Sequence, residues 1–304
     1  MIGKWAGHLG AWIVILIWGS TFVSSKVLLN NGLMPADIFF YRFLMAYTCL
    51  LILYHTKLFC DSWRDELVFL GMGITGGSIY FLAENMALLY STSSNVSIIV
   101  CSCPLVTALL VGFFYPSERL SARQFIGVGI AFVGMVLIVL NGQLILHLNP
   151  LGDTFAMSAA ILWAIYSLLF KLVEKKYRNS FIARKVFFYG LLTILPYFLF
   201  ISPLIFDTAL FSRHVVLANL LFLGLLASCG AYLLWTQVMK RLGAVKASTY
   251  IYLQSLVTML VAAICLNERI TWMAILGTFI LISGMVLAEK GTSRNEAHTD
   301  LRPD

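Results

Sequence analysis

Charge is scarce in this chain. Only 12% of its 304 residues are charged while 60% are apolar, and the mean hydropathy is +0.89. A soluble domain carries about 25% charged residues because its surface faces water. A soluble fold is therefore excluded, and the solvent is a bilayer. Histidine is scarce too: His8, His55, His147, His214 and His298 all fall in loops or at the ends of apolar runs. A histidine-based membrane enzyme needs such residues gathered at one depth. Phosphate-loop chemistry is missing, since no lysine follows the glycines of Gly71-Met72-Gly73-Ile74-Thr75-Gly76-Gly77-Ser78 and no strand leads into them. Gly73 and Gly77 read instead as a small-residue face for close helix approach. No basic patch is interleaved with aromatics, so the net charge of +7 speaks for a cytoplasmic membrane rim and against nucleic acid. There is no long loop to hold a soluble receptor domain. The six cysteines (Cys49, Cys60, Cys101, Cys103, Cys229 and Cys265) sit almost entirely in apolar runs and read as small apolar fillers. Cys101 and Cys103, two apart, would point about 200° apart on a helix and could not share a metal. No enzyme activity, cofactor or metal site is expected.

What the chain has is long apolar runs. Spans of about 20 residues match a hydrocarbon core of about 30 Å. Ten are predicted, at 9–29, 36–56, 67–89, 94–115, 121–141, 152–173, 184–205, 216–238, 244–267 and 271–289. The first is too long for a signal-peptide core and no small-residue cleavage site follows it, so it reads as a retained span. The polar tail 290–304 is expected to be disordered. Placing the N-terminus inside puts sixteen of the 21 Lys and Arg residues in inner segments, including Lys57, Arg64, Arg119, Lys175, Lys176 and Arg178. Only Lys26, Arg42, Arg213 and Arg269 lie at outer positions. This bias predicts that both termini are cytoplasmic.

The chain also repeats itself. Ser117-Glu118-Arg119-Leu120-Ser121 leads into a run with Gly127, Ile130 and Gly134-Met135-Val136-Leu137. Asn267-Glu268-Arg269-Ile270-Thr271 leads into one with Gly277, Ile280 and Gly284-Met285-Val286-Leu287. Eight positions between 117 and 139 are identical to their second copies, where this composition gives about two by chance. Other traces agree: Trp18 and Lys26 recur as Trp163 and Lys171, Gly73 and Gly77 as Gly224 and Ser228, and Leu105-Val106-Thr107 as Leu256-Val257-Thr258. Five spans per copy is an odd number, so the second copy must enter the membrane upside down. The expected fold is an all-α polytopic membrane protein of ten transmembrane helices, built as two inverted five-helix repeats. The first repeat covers 1–142 and the second 143–289, with the tail at 290–304. Such repeats build secondary transporters, with the substrate site near the midplane between the halves.

At this level the chain resembles the drug/metabolite transporter superfamily, and specifically proteins with two EamA-like domains. The likeness is carried by Trp18-Gly19-Ser20-Thr21-Phe22, Arg42-Phe43-Leu44 and Ala87-Leu88 with Ser93-Ser94-Asn95. Pro104-Leu105-Val106-Thr107-Ala108-Leu109 and the two copies of Glu118-Arg119-Leu120 complete it. It covers nearly the whole chain and implies export or import of amino acids, drugs, sugars or other small metabolites. The chain departs from the pattern where Pro104 is answered by Ser255, and where the counterpart of Arg42 is Arg184 or Lys185.

Glu84 is the sharpest candidate residue, the one acidic side chain well inside an apolar run, on a helical stripe with Tyr80 and Gly77. A charge there costs a few kcal/mol even on lenient scales, so it usually faces a cavity. It is then a proton carrier or the partner of a substrate amine; the plainer alternative is that it reaches the outer rim. Arg42 is read either as a snorkelling arginine or as an anchor for a substrate carboxylate, and Lys26 as snorkelling. Trp18, Asn85, Trp163, Tyr166, Trp235, Tyr250 and Gln254 complete the expected substrate contacts, with Trp18 and Trp163 equivalent in the two repeats and Trp235 the counterpart of Glu84. Pro104 removes a hydrogen bond inside span four and is read as a gate bend or a packing kink. Gly127 with Gly134, and Gly277 with Gly284, give spans five and ten smooth sides, marking them as scaffold and as a dimer face.

The expectation is a multi-pass inner-membrane transporter that exports a small organic metabolite, an amino acid or related amphipathic compound, by alternating access. Proton coupling through Glu84 and facilitated diffusion are both open, as are monomer and homodimer. Its partners are the lipid bilayer and a small-molecule substrate. A nucleotide-sugar or phosphorylated-metabolite exchanger would want more than one buried cation, and a lipid-processing membrane enzyme a polar dyad at one depth.

Overall fold

The computed structural model describes residues 2–55, 57–91, 93–115, 120–140, 149–266 and 271–299, and these are almost entirely helical. The helices are α1 (Ile2–Asn30), α2 (Pro35–Leu53), α3 (Trp63–Tyr90), α4 (Ser93–Val100), α5 (Cys103–Phe114) and α6 (Ala122–Leu140). They continue with α7 (Pro150–Val173), α8 (Asn179–Phe200), the single turn α9 (Thr208–Phe211), α10 (His214–Leu242), α11 (Ala244–Thr249), α12 (Tyr252–Leu266) and α13 (Trp272–Thr299). Among the described residues, six are long and apolar enough to cross a membrane: α1, α2, α3, α7, α8 and α10. The apolar stretches Cys103–Phe114, Ala122–Leu137 and Ile275–Ala288 are shorter. With its long apolar helices and their lipid-type exterior, the chain is a multi-pass membrane protein.

Helix starts follow local chemistry. Asn149 Oδ1 accepts from Leu151 N and Gly152 N ahead of Pro150, satisfying donors that a first turn leaves open. Ser62 accepts from Arg64 N, with Asp65 and Glu66 in the first turn of α3. Asp37 takes Met34 N and Ile205 N at the start of α2. Ser121 and Gln124 exchange bonds, Ser121 N to Gln124 Oε1 at 2.7 Å and Gln124 N to Ser121 Oγ at 3.3 Å, a capping box at the start of α6. Gly243, at φ +81°, turns α10 sharply into α11.

Two expectations of continuous helix are corrected. Span four is two helices, α4 and α5, parted at Cys101–Ser102; span nine is α11 and α12, parted at Tyr250–Ile251. Both breaks are closed by tight i→i−3 bonds, such as Ser102 N to Ile99 O and Ile251 N to Ser248 O. Pro104 is the second residue of α5, where its missing N–H costs little, and the other break forms with Ser255 in its place. A break of this kind therefore does not require proline. In addition, α3 and α10 each widen into π turns, at Ile74–Ser78 and Phe222–Gly230, covering equivalent positions of the repeat. Span seven also begins at Asn179, five residues before the sequence places it.

The two copies pack on each other with roles exchanged. α1 lies against α10 and α12, as α7 lies against α3 and the α4–α5 pair; α2 meets the wide turn of α10, as α8 meets that of α3. Gly73 and Gly77 let α8 in: a Cβ on Gly73 would stand 2.5 Å from Tyr189 Cβ, and one on Gly77 3.3 Å from Gly190 Cα. α6 and α13 pair along their length. Their glycine rows face one another, a Cβ on Gly134 lying 2.2 Å from Leu281 N and one on Gly284 2.3 Å from Ala131 N. The smooth sides expected to serve a dimer are thus covered within the chain.

Candidate functional site

Between the copies lies a cavity of about 520 Å³, open mouth included. Its wall is Trp18 and Thr21 of α1, Arg42 of α2, and Tyr80, Phe81 and Glu84 of α3, then Val100 and Cys103 beside the span-four break. The second copy adds Trp163 of α7, Ala227, Ser228 and Tyr232 of α10, and Ile251 and Gln254 at the span-nine break. Irregular backbone in a membrane protein is tolerated where it lines a cavity, and both breaks do.

The equivalent tryptophans meet here. The Trp18 and Trp163 rings stand edge to face, centroids 5.5 Å apart, with Tyr80 5.3 Å from Trp163. Trp18 is fixed by its Nε1 donating to Ala227 O at 3.1 Å, and its own carbonyl accepts from Gln254 Nε2 and Thr21 Oγ1. The next residue must be glycine, because a Cβ on Gly19 would lie 2.5 Å from Val257 Cβ. Trp163 Nε1 has no hydrogen-bond partner among the described residues.

Glu84 is 5% exposed and accepts from Tyr80 OH at 2.6 Å, four residues back on the same stripe. The reading in which it reaches the rim is set aside by that burial. Arg42 is 2% exposed, donates from Nε to Ser228 Oγ at 2.8 Å and lies over the Phe81 ring at 4.3 Å. So buried a guanidinium does not fit the snorkelling reading, and Ser228 in the wide turn of α10 holds it in the cavity wall. Lys26 donates to Leu88 O and Ser91 O at the end of α3 and so caps a helix.

Four expected contacts lie outside the lining. Asn85 is fully buried and donates to Pro35 O, since one residue along a helix turns the side chain about 100°. Trp235 packs behind Trp18 and Trp163, and Tyr166 behind Trp163. Tyr250 is hydrogen-bonded to His8 of α1, while its neighbour Ile251 reaches the cavity. Thr21, Phe81, Val100, Cys103, Ala227, Ser228 and Ile251 line the cavity without having been among the expected contacts. The repeat held one clue, because Ser228 answers Gly77 at the wide turn.

A second polar cluster joins the copies away from the cavity. Glu66 pairs with Lys185 at 2.7 Å and bonds Tyr189 OH and Cys60 N. Asp65 takes Lys176 Nζ at 2.9 Å and Tyr177 OH at 2.8 Å, Lys240 Nζ caps Tyr177 O, and Arg184 donates to Tyr54 O. The second-copy counterparts of Arg42 therefore serve a latch, and the halves differ in charge at the cavity. Burial, and then the Glu66 carboxylate, push the Cys60 thiol up to about 12. Among the described residues no group of three His, Cys, Asp or Glu side chains could hold a metal. Glu118, Arg119 and the second copy of that motif, with His147, fall outside the described residues.

Comparison with known proteins agrees with this architecture. An uncharacterized transporter of Archaeoglobus fulgidus is 28% identical over 287 residues, covering 92% of this chain and 96% of its own. A probable amino-acid metabolite efflux pump of Escherichia coli is 25% identical, covering 91% and 92%. A probable terminal-alkyne amino-acid exporter of Streptantibioticus cattleyicolor is 24% identical over 78% of each. One solved crystal structure superposes with a TM-score of 0.73 over 93% of this chain and 96% of that one, at 17% identity, a likeness of fold alone. The model of the EamA-like transporter family matches twice, at 5–140 and 150–289. With both copies matched, the chain belongs to the EamA-like transporter family.

Proposed function

We propose that this protein is a secondary transporter that carries a small organic metabolite, an amino acid or related amphipathic compound, out across the inner membrane by alternating access. In this reading the ten predicted spans form two inverted repeats, about 1–142 and 143–289, with both termini in the cytoplasm. The observation that carries it is the cavity lined by equivalent elements of both copies, with Trp18 against Trp163 and a helix break in each wall. A site shared by two halves can be exposed to one side or the other as the halves rock. The polar latch of Asp65 and Glu66 on Lys176 and Lys185 is then a contact that one state keeps and the other breaks. The names of the amino-acid exporting relatives favour the substrate class. In this reading Glu84 carries a proton or meets a substrate amine, which its burial in the cavity wall supports.

The test is counterflow in proteoliposomes, with the purified protein preloaded with unlabelled L-leucine or L-phenylalanine and presented with the labelled form. Accumulation above protein-free vesicles is expected. No exchange of these or of any compound in a broad metabolite panel would sink the transporter reading.

A further inference from the structure

The cavity wall holds one basic and one acidic side chain, Arg42 and Glu84. No ion pair joins Arg42 to Glu84 among the described residues, although each charge acts on the other. Each is pinned by a different neighbour. Ser228, from the second copy, holds Arg42 Nε, and Tyr80 holds a Glu84 oxygen. Arg42 Nη1 is buried and has no hydrogen-bond partner among the described residues. A buried guanidinium N–H left open is costly, and the edge that Ser228 leaves open has the fork geometry that suits a carboxylate. Phe81 covers one face of the guanidinium, so no ligand approaches from that side. Around both groups the wall is aromatic.

We propose that Arg42 and Glu84 together read a zwitterion, an α-amino acid with its carboxylate on Arg42 and its ammonium on Glu84. The side chain of the cargo lies against Trp18, Trp163 and Tyr80. Ser228 is a positioning residue that turns the guanidinium edge to the cavity. A lone anion would leave Glu84 facing it unpaired, and a lone cation would do the same to Arg42. A zwitterion satisfies both and carries no net charge through a low-dielectric interior, where a charge is expensive. The inference rests on the transport reading and narrows its substrate class.

The experiment uses the purified full chain and thermal stabilisation by matched probes. L-Phenylalanine is compared with phenethylamine, which lacks the carboxylate, and phenylpropionate, which lacks the ammonium; L-leucine is compared with isoamylamine and isocaproate. Each amino acid is expected to bind at least about tenfold more tightly than either of its analogues, as a site with buried polar groups rejects ligands that leave them unpaired. An analogue that binds as well as its amino acid overturns the proposal, and so does failure of both amino acids to bind. If vesicle flux of another metabolite persists in those cases, the transporter reading survives alone; if all flux is absent, that reading falls too.

The variants give an independent arm. Glu84→Gln should bring phenylpropionate to within about threefold of phenylalanine while leaving phenethylamine rejected. Ser228→Ala should weaken discrimination against phenethylamine alone, with rescue by Ser228→Thr. Unchanged discrimination in Glu84→Gln would overturn the assignment of the ammonium. The analogue comparison on the unaltered protein stands even where a variant fails to fold.

Discussion

Glu84 and Asn85 are neighbours in the chain and part company in space: one faces the cavity, the other is buried against Pro35. Their fates were separable only by helix phase, which an apolar run on all sides conceals. The same concealment hid Ser228 and Cys103, small residues with no distinguishing pattern. Arg42 was visible as a charge but not as a buried one. Arg42→Lys keeps the charge and loses the Nε bond and the planar fork, which are not interchangeable. Proteoliposome uptake of L-phenylalanine should fall at least about tenfold in this variant, and uptake within twofold of wild type would show that the fork is not used. Cys60, outside the spans, has its thiol raised to about 12 by burial and by Glu66. Because the thiolate is the nucleophile, maleimide labelling of Cys60 at pH 8 should be at least about a hundredfold slower than that of free cysteine. The rate should climb steeply as pH approaches the thiol's own range; mass spectrometry of the labelled protein reads both.

At the scale of elements, the breaks in spans four and nine recur with proline in only one of them. Pro104→Ala should therefore leave the break in place and change stability by about 1 kcal/mol or less, since proline early in a helix is a convenience and not a requirement. A thermal unfolding series in detergent, together with retained flux, checks this; collapse of either would return the bend to the proline. The α6–α13 pair is the opposite case, because its contact depends on glycine. Gly134→Ala sets a Cβ against backbone that has no rotamer to change, 2.2 Å from Leu281 N. It should destabilise by about 1–3 kcal/mol, and an unshifted unfolding curve would mean that the two helices separate freely. The sequence marked these glycines as contact surfaces but not which surface they meet, because a small-residue row fits any close partner.

At the scale of the molecule, the two copies are held together by exchanged helix contacts and by the latch. Lys185 is nearly buried against Glu66, so Glu66→Gln leaves a buried cation short of its partner and should cost roughly 2–4 kcal/mol. Adding Lys185→Met should cost less than the sum of the single changes, with a coupling of about 1–3 kcal/mol in the thermal unfolding cycle. Strict additivity would mean that the pair does not join the copies. The covered glycine faces also remove α6 and α13 from the surfaces that a second copy would meet through small residues.

Composition alone determined that this chain lives in a bilayer, because too few charges exist to cover a water-facing surface. Internal similarity determined that it is a duplicated unit, since a repeat survives in sequence even where its contacts are invisible. It also brought the equivalent tryptophans to notice before any contact between them was known. What the tertiary structure decided is which polar groups share the cavity: Arg42 with Glu84 inside it, and the second-copy cations at a latch instead. Uniformly apolar helices carry no phase signal, so only the packing of one copy on the other could fix which side of each helix turns inward.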